Sequence, residues 1–171
     1  MSDRDEDDEI PDHLQRSPNL FVHRADGTVE EAPAADQAVA DDYPHWPDKG
    51  PVVDGKRLTV MTARDTYEVG EEVRVIHAFE APEPGVDVYV MGPKPVYGEH
   101  IDGTLATTPP PDGDEPWVPQ QYDGAVIASP AVDYNYEVTT YRFAEPGRHV
   151  IRWELGPVTS NTLEITVVEE T

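Results

Sequence analysis

The sequence predicts an all-β fold of two packed antiparallel sheets, and three observations carry that expectation. In residues 148–155, His149, Ile151, Trp153 and Leu155 share one phase, while Arg148, Arg152 and Glu154 share the other and Val150 is the apolar exception. The closing run repeats the period: Leu163, Ile165 and Val167 alternate with Thr162, Glu164 and Thr166. A period of two with one oily side marks a half-buried strand. Turn chemistry then recurs at short intervals with no long helical period between, as in Glu145-Pro146-Gly147, where proline presets φ and glycine accepts φ > 0.

From the N-terminus, residues 1–12 hold seven acids around one interior apolar residue, Ile10. Such a block repels itself and has nothing to bury, which predicts disorder. Residues 19–29 read as a small hairpin around Asp26-Gly27 or as a flexible segment with one sticky patch. The alanine-rich run 34–40 after Pro33 suggests a short helix. Tyr43-Pro44-His45-Trp46-Pro47 places two large rings between prolines, which suits a latch onto the outside of the domain or a short motif for a partner. The expected organisation is therefore a largely disordered acidic arm over 1–50 and a β domain over 51–171.

Within the domain, residues 57–62 form a first expected strand, and 65–71 a connection bending at Gly70. Residues 73–80 follow, with Val73, Val75, His77 and Phe79 on one face. Residues 86–91 are apolar on both phases and read as a central strand. Residues 96–101 read as a short edge strand after the break at Pro93 and Pro95. A long proline-rich loop fills 107–119, the kind of connection that is functional or disordered. Residues 120–128 and 134–143 complete seven or eight strands.

Charge narrows the partners. The 171 residues carry 35 acidic and 12 basic side chains, a net charge of -23. Residues 1–50 contribute -10 and the remainder -13, so the excess covers the domain as well as the arm. That field repels phosphates and anionic lipids, which argues against nucleic-acid partners. No apolar run reaches the roughly 20 residues of a membrane helix, and the acidic start is unlike a secretory leader. The expectation is a cytoplasmic protein without membrane insertion. Lysine appears only at Lys49, Lys56 and Lys94. An acidic, lysine-poor surface suits concentrated salt, although a GC-rich genome produces a similar bias. Cysteine is absent, which excludes disulfides, thiolate metal sites and cysteine nucleophiles.

The run Thr140-Tyr141-Arg142-Phe143-Ala144-Glu145-Pro146-Gly147-Arg148-His149-Val150-Ile151-Arg152-Trp153 resembles the penultimate strand pair of bacterial immunoglobulin-like and PKD-like domains. It has an aromatic-x-aromatic strand end, a Pro-Gly turn and an alternating strand with aromatics inward. Tyr67-Glu68-Val69-Gly70-Glu71-Glu72-Val73 is similar to the approach to the second strand in that superfamily. The resemblance spans residues 56–168 and departs from antibody domains in lacking the cysteine pair and in placing Trp153 on a late strand. It implies an immunoglobulin-like β-sandwich of seven or eight strands, a scaffold used for adhesion, spacing or docking.

Candidate chemistry is sparse. His77 and His149 share the inward phase of strands that an immunoglobulin-like topology places in opposite sheets. They are candidates for a metal site, against the plainer reading of packed, hydrogen-bonded histidines. Glu99, His100 and Asp102 make a weaker ligand set, and Asp112-Gly113-Asp114-Glu115 lacks the spacing of a calcium loop. Motifs for a serine nucleophile, a phosphate loop or a dinucleotide are absent, so the expectation is no enzyme, no metal and no cofactor. The better lead is aromatic: Tyr97, Trp117, Tyr122 and Tyr134, in or beside proline-rich connections, and Trp46 in the arm are the candidate binding residues. The function expected is a binding or structural subunit for a protein partner or self-assembly. The alternative is a metal- or carbohydrate-binding domain using the loop aromatics and His77/His149.

Overall fold

The computed structural model describes residues 20–23, 28–43, 46–85, 87–89, 96–109, 126–128, 131–133 and 136–169. Among them the chain is mostly β, with one short helix. The N-terminal part holds β1 (Phe21–His23), β2 (Val29–Glu31) and α1 (Ala34–Asp41). Next come β3 (Arg57–Met61), β4 (Thr66–Glu68), β5 (Glu72–Ala81) and β6 (Asp87–Tyr89). The middle supplies β7 (Glu99–Ile101), β8 (Thr104–Leu105), β9 (Val126–Ala128) and β10 (Ala131–Asp133). The chain closes with β11 (Thr139–Arg142), β12 (Gly147–Leu155), β13 (Val158–Thr159) and β14 (Leu163–Val168).

Two sheets organise the body. In one, β5 is central, with β3 on one side and β10 and β11 on the other, all antiparallel. The other runs β4-β14-β12-β7-β8, with β13 also on β12. Both line one hydrophobic cluster, in which Val73, Val75 and Phe79 from the first sheet meet Ile151, Trp153 and Ile165 from the second. The alternation expected along β12 and β14 holds: Ile151, Trp153, Leu155, Leu163, Ile165 and Val167 are buried.

The structure departs from expectation in four places. The described residues form fourteen strands where seven or eight were expected, because β1, β2, β4, β8, β10 and β13 are only two or three residues long, too short to show a period. The pairing is not wholly antiparallel. The chain leaves β3, crosses between sheets, and lays β4 parallel to β14, where a plain connection was expected. β7 is not an edge strand, since the Asp102-Gly103 turn (φ +52 and +83) folds β8 back along it. β6, expected to be central, pairs with β9 alone among the described strands.

Residues before position 50 also pack onto the body. Leu20, Val22, Ala32, Ala40 and Tyr43 belong to the same cluster as the domain core. They form a strap across the outer face of the β5 sheet. Val22 bridges to Val138 beside β11. Asp36 of α1 then accepts from Arg74 Nε at 2.6 Å, and the Tyr43 hydroxyl donates to Glu80 at 2.6 Å. At the far edge Gly50 lies against β3, its carbonyl accepting from Arg57 Nε at 2.9 Å. This covering explains why β5 also carries buried apolar residues on its outer phase, between Arg74 and Glu80. Val73, Val75, His77 and Phe79 face the opposite sheet, while Ile76 and Ala78 lie under the strap and are equally buried. The acidic block 1–12 lies outside the described residues. No helix among the described residues is long and apolar enough to cross a membrane.

Candidate functional site

Among the described residues, a cluster of titratable and aromatic side chains lies buried between the two sheets. Pairing of β7 with β12 sets Glu99 opposite Trp153, and both side chains turn into the buried layer. The Glu99 carboxylate reaches across to the other sheet. One oxygen meets His77 Nε2, and the second accepts the Thr139 hydroxyl at 2.6 Å together with the Tyr141 hydroxyl. Its backbone N–H donates to Thr107 Oγ1 at 3.0 Å. Three side chains from β5 and β11 therefore hold one carboxylate from β7.

An ionised carboxylate only accepts hydrogen bonds, so His77 Nε2 and both hydroxyls act as donors toward it. Burial alone pushes the Glu99 pKa upward. The facing His77 and the hydrogen bonds from His77, Thr139 and Tyr141 outweigh that and bring it below the usual carboxylate range. Burial, with the adjacent Glu99 charge and hydrogen bond, drives the Tyr141 hydroxyl pKa upward, so it stays a donor. The His77 ring stands edge-on to Trp153, centroids 5.0 Å apart, and Tyr136 packs on Trp153 at 4.9 Å. Trp153 Nε1 donates to the Tyr97 carbonyl at 2.8 Å. His77 Nδ1 is buried without a hydrogen-bond partner among the described residues. Glu99 and His77 are both sealed from solvent.

His149 belongs to a different arrangement. It lies four residues before Trp153 on β12, roughly 13 Å along an extended strand. Its Nδ1 faces Asp102 Oδ2 at 2.6 Å and its Nε2 faces the Glu145 carbonyl at 2.8 Å. The ring stacks on Phe143 at 4.2 Å. Two acceptors, one at each nitrogen, call for the doubly protonated imidazolium. Burial lowers the His149 pKa, and the Asp102 and Glu145 contacts more than reverse this and raise it. The two histidines weighed as a shared metal site are engaged by separate partners. The set Glu99, His100 and Asp102 is also split, because neighbours on a strand face opposite ways: Glu99 turns inward, His100 lies near Glu154 outside, and Asp102 holds His149 at the turn. Among the described residues no group of three or more acids and histidines is arranged to hold a metal.

Of the candidate binding aromatics, Trp117, Tyr122 and Tyr134 lie outside the described residues. Tyr97 is half-buried against the core beside Trp153. Trp46 is also half-buried, and with residues 62–66 and Leu163 it lines a shallow open groove. Its indole N–H is buried without a hydrogen-bond partner among the described residues.

No family model matches the chain, and no curated protein matches it. Among solved structures it is similar to a polysaccharide lyase, at 13% identity and a TM-score of 0.33, over 67% of this chain. The chain spans 12% of that lyase's length, and a likeness this slight bears on neither fold nor activity.

Sequence reasoning passed over Glu99, Thr139 and Tyr141 as a set. The signal was present: Tyr97, Glu99 and Ile101 share a phase, so an inward Ile101 carries Glu99 with it.

Proposed function

We propose that the chain is a non-enzymatic binding or structural module, an immunoglobulin-like β-sandwich that serves as a subunit or adaptor in a cytoplasmic protein assembly. The observation that carries this reading is the occupation of Glu99. Its two oxygens accept three side-chain hydrogen bonds from the opposite sheet, so the most reactive-looking residues of the interior act as cross-struts. Groups already committed to one another in a dry layer support a scaffold better than a reaction centre. The surface that would meet a partner includes the Trp46 groove, where a partly exposed ring offers apolar area beside Arg64 and Asp65.

Size-exclusion chromatography with light scattering, together with elemental analysis of the purified protein, tests the reading. A stable oligomer without metal, weakened by Trp46→Ala, is the expected result. Zinc or calcium near one per chain would instead favour the metal-binding alternative. The carbohydrate-binding alternative draws on the loop aromatics and His77/His149, and saccharide-induced quenching of tryptophan fluorescence that persists in Trp46→Ala would favour it.

A further inference from the structure

We propose that the β7–β8 hairpin is a pH-gated flap, fastened on its inner side by Glu99 and at its tip by the Asp102–His149 pair.

The hairpin is peripheral. It ends the β4-β14-β12-β7-β8 sheet, β7 pairs with β12 over three residues, and β8 is two exposed residues long. Units of that kind open locally at a cost well below global unfolding. Most of its remaining hydrogen bonds are internal, such as Ala106 N–H to the Glu99 carbonyl at 2.7 Å and Gly98 N–H to the Thr108 carbonyl at 2.9 Å. Side-chain hydrogen bonds from the hairpin to the opposite sheet run through Glu99, to His77 on β5 and to Thr139 and Tyr141 on β11. At the tip, Asp102 N–H donates to the Val150 carbonyl, Val150 N–H donates to Asp102 Oδ1, both at 2.8 Å, and Asp102 Oδ2 takes His149.

The two fastenings respond to pH with opposite sign. Glu99 titrates low in the folded state, so its contribution is present above the ordinary carboxylate range and lost as pH falls through the lowered value. His149 titrates high, so its contribution is complete below the ordinary imidazole range and lost as pH rises through the raised value. The charged groups around them divide cleanly. His77 faces Glu99 from β5, with the Thr139 and Tyr141 hydroxyls beside it on β11. Around the tip, Glu145 presents its carbonyl to His149, while on the outer face Arg148 pairs with Glu164 on β14, and Arg152 and His100 both meet Glu154. Those outer pairs are solvent-exposed or half-exposed and couple weakly to either fastening. The flap is therefore most securely closed between the two titrations. Opening on either side separates Glu99 from His77 and uncovers Trp153.

Amide hydrogen exchange by NMR on the full chain, across acid to mildly alkaline pH and corrected for intrinsic rates, is the test. The reporters are the N–H groups of Asp102 and Glu154, which bond to Val150 and Gly98 across the seam between the hairpin and β12. Their protection is expected to peak at intermediate pH and fall on both sides, while β3 and β5 amides stay protected. Tyr141→Phe removes one donor to the carboxylate and keeps the ring, so the acid limb moves up by roughly half a pH unit or more. Asp102→Asn keeps an acceptor for Val150 in a left-handed conformation that asparagine tolerates, and abolishes the alkaline limb. Limbs that stay put in both variants, or hairpin amides that lose protection in step with β3 and β5, overturn the proposal.

Discussion

Asn161 and Val60, 101 residues apart, exchange a pair of hydrogen bonds: Val60 N–H donates to Asn161 Oδ1 at 2.8 Å, and Asn161 Nδ2 donates to the Val60 carbonyl at 3.1 Å. The amide side chain imitates one residue of a neighbouring strand along the side of β3 that faces away from β5. An uncovered strand edge is a template for pairing with another chain, so this contact both satisfies two buried backbone groups and closes the edge. Asn161→Ala is expected to destabilise the fold by about 2–4 kcal/mol, one desolvation penalty for each orphaned group. Urea denaturation measures that loss, and light scattering should detect concentration-dependent association through the opened β3 edge.

Gly50 guards the same edge. A Cβ built there would overlap the Leu58 carbonyl oxygen, with Ser160 and Asn161 backbone close behind. All three neighbours are main chain, so none can rotate away. Gly50→Ala therefore displaces the strap's end from β3 and is expected to cost roughly 1–3 kcal/mol, the range for overpacking. Thermal unfolding gives the magnitude. A wild-type melting temperature would show that the strap adjusts freely.

The strap's central anchor predicts an asymmetry. Asp36 is wholly buried and its Oδ2 takes Arg74 Nε, whereas Arg74 is partly exposed and also meets Glu72 at 3.1 Å. Removing the arginine strands a buried carboxylate, with a cost of about 3–5 kcal/mol. Removing the carboxylate leaves the arginine with Glu72 and solvent, at about 1–2 kcal/mol. Arg74→Ala should thus be the worse variant in denaturant, and limited proteolysis should cut its strap first. Equal losses would mean that the Arg74–Glu72 pair contributes nothing once Asp36 is gone.

The sequence was legible where one rule decided each position. Ile151, Trp153 and Ile165 show the period of two because β12 and β14 have one wet face and one dry face, and that face sets which way each side chain points. β5 was half legible: its inward phase was plain, but Ile76 and Ala78 made sense only with the strap over them, and no local pattern shows that residues 20–50 return to cover a strand. Tyr43 and Trp46 hinted at it through their size. Glu99 was the hardest to read, since a short edge strand with an acid between Gly98 and His100 does not show which phase turns inward, and its burial follows from the β7–β12 register, which is a tertiary fact. Similarly, β4 joins a sheet only because β14 lies beside it.

The interior cluster makes its own prediction, separate from any motion of the hairpin. Glu99→Ala takes the shared acceptor from His77, Thr139 and Tyr141 at once and is expected to cost about 3–5 kcal/mol, as for breaking a buried pair on one side. His77→Leu leaves the carboxylate two hydroxyl donors and should cost less. The double variant His77→Leu, Glu99→Met replaces the pair by apolar groups of similar bulk, and such exchanges are often neutral or stabilising relative to the intact pair. The double is therefore expected to be more stable than Glu99→Ala alone, despite carrying two substitutions. Chemical denaturation of wild type, His77→Leu, Glu99→Met and the double closes the cycle, with Glu99→Ala measured beside them. Simple additivity of the two singles would mean that Glu99 and His77 are neighbours without energetic coupling, and that burial of the aromatic layer around Trp153 alone holds the sheets in register.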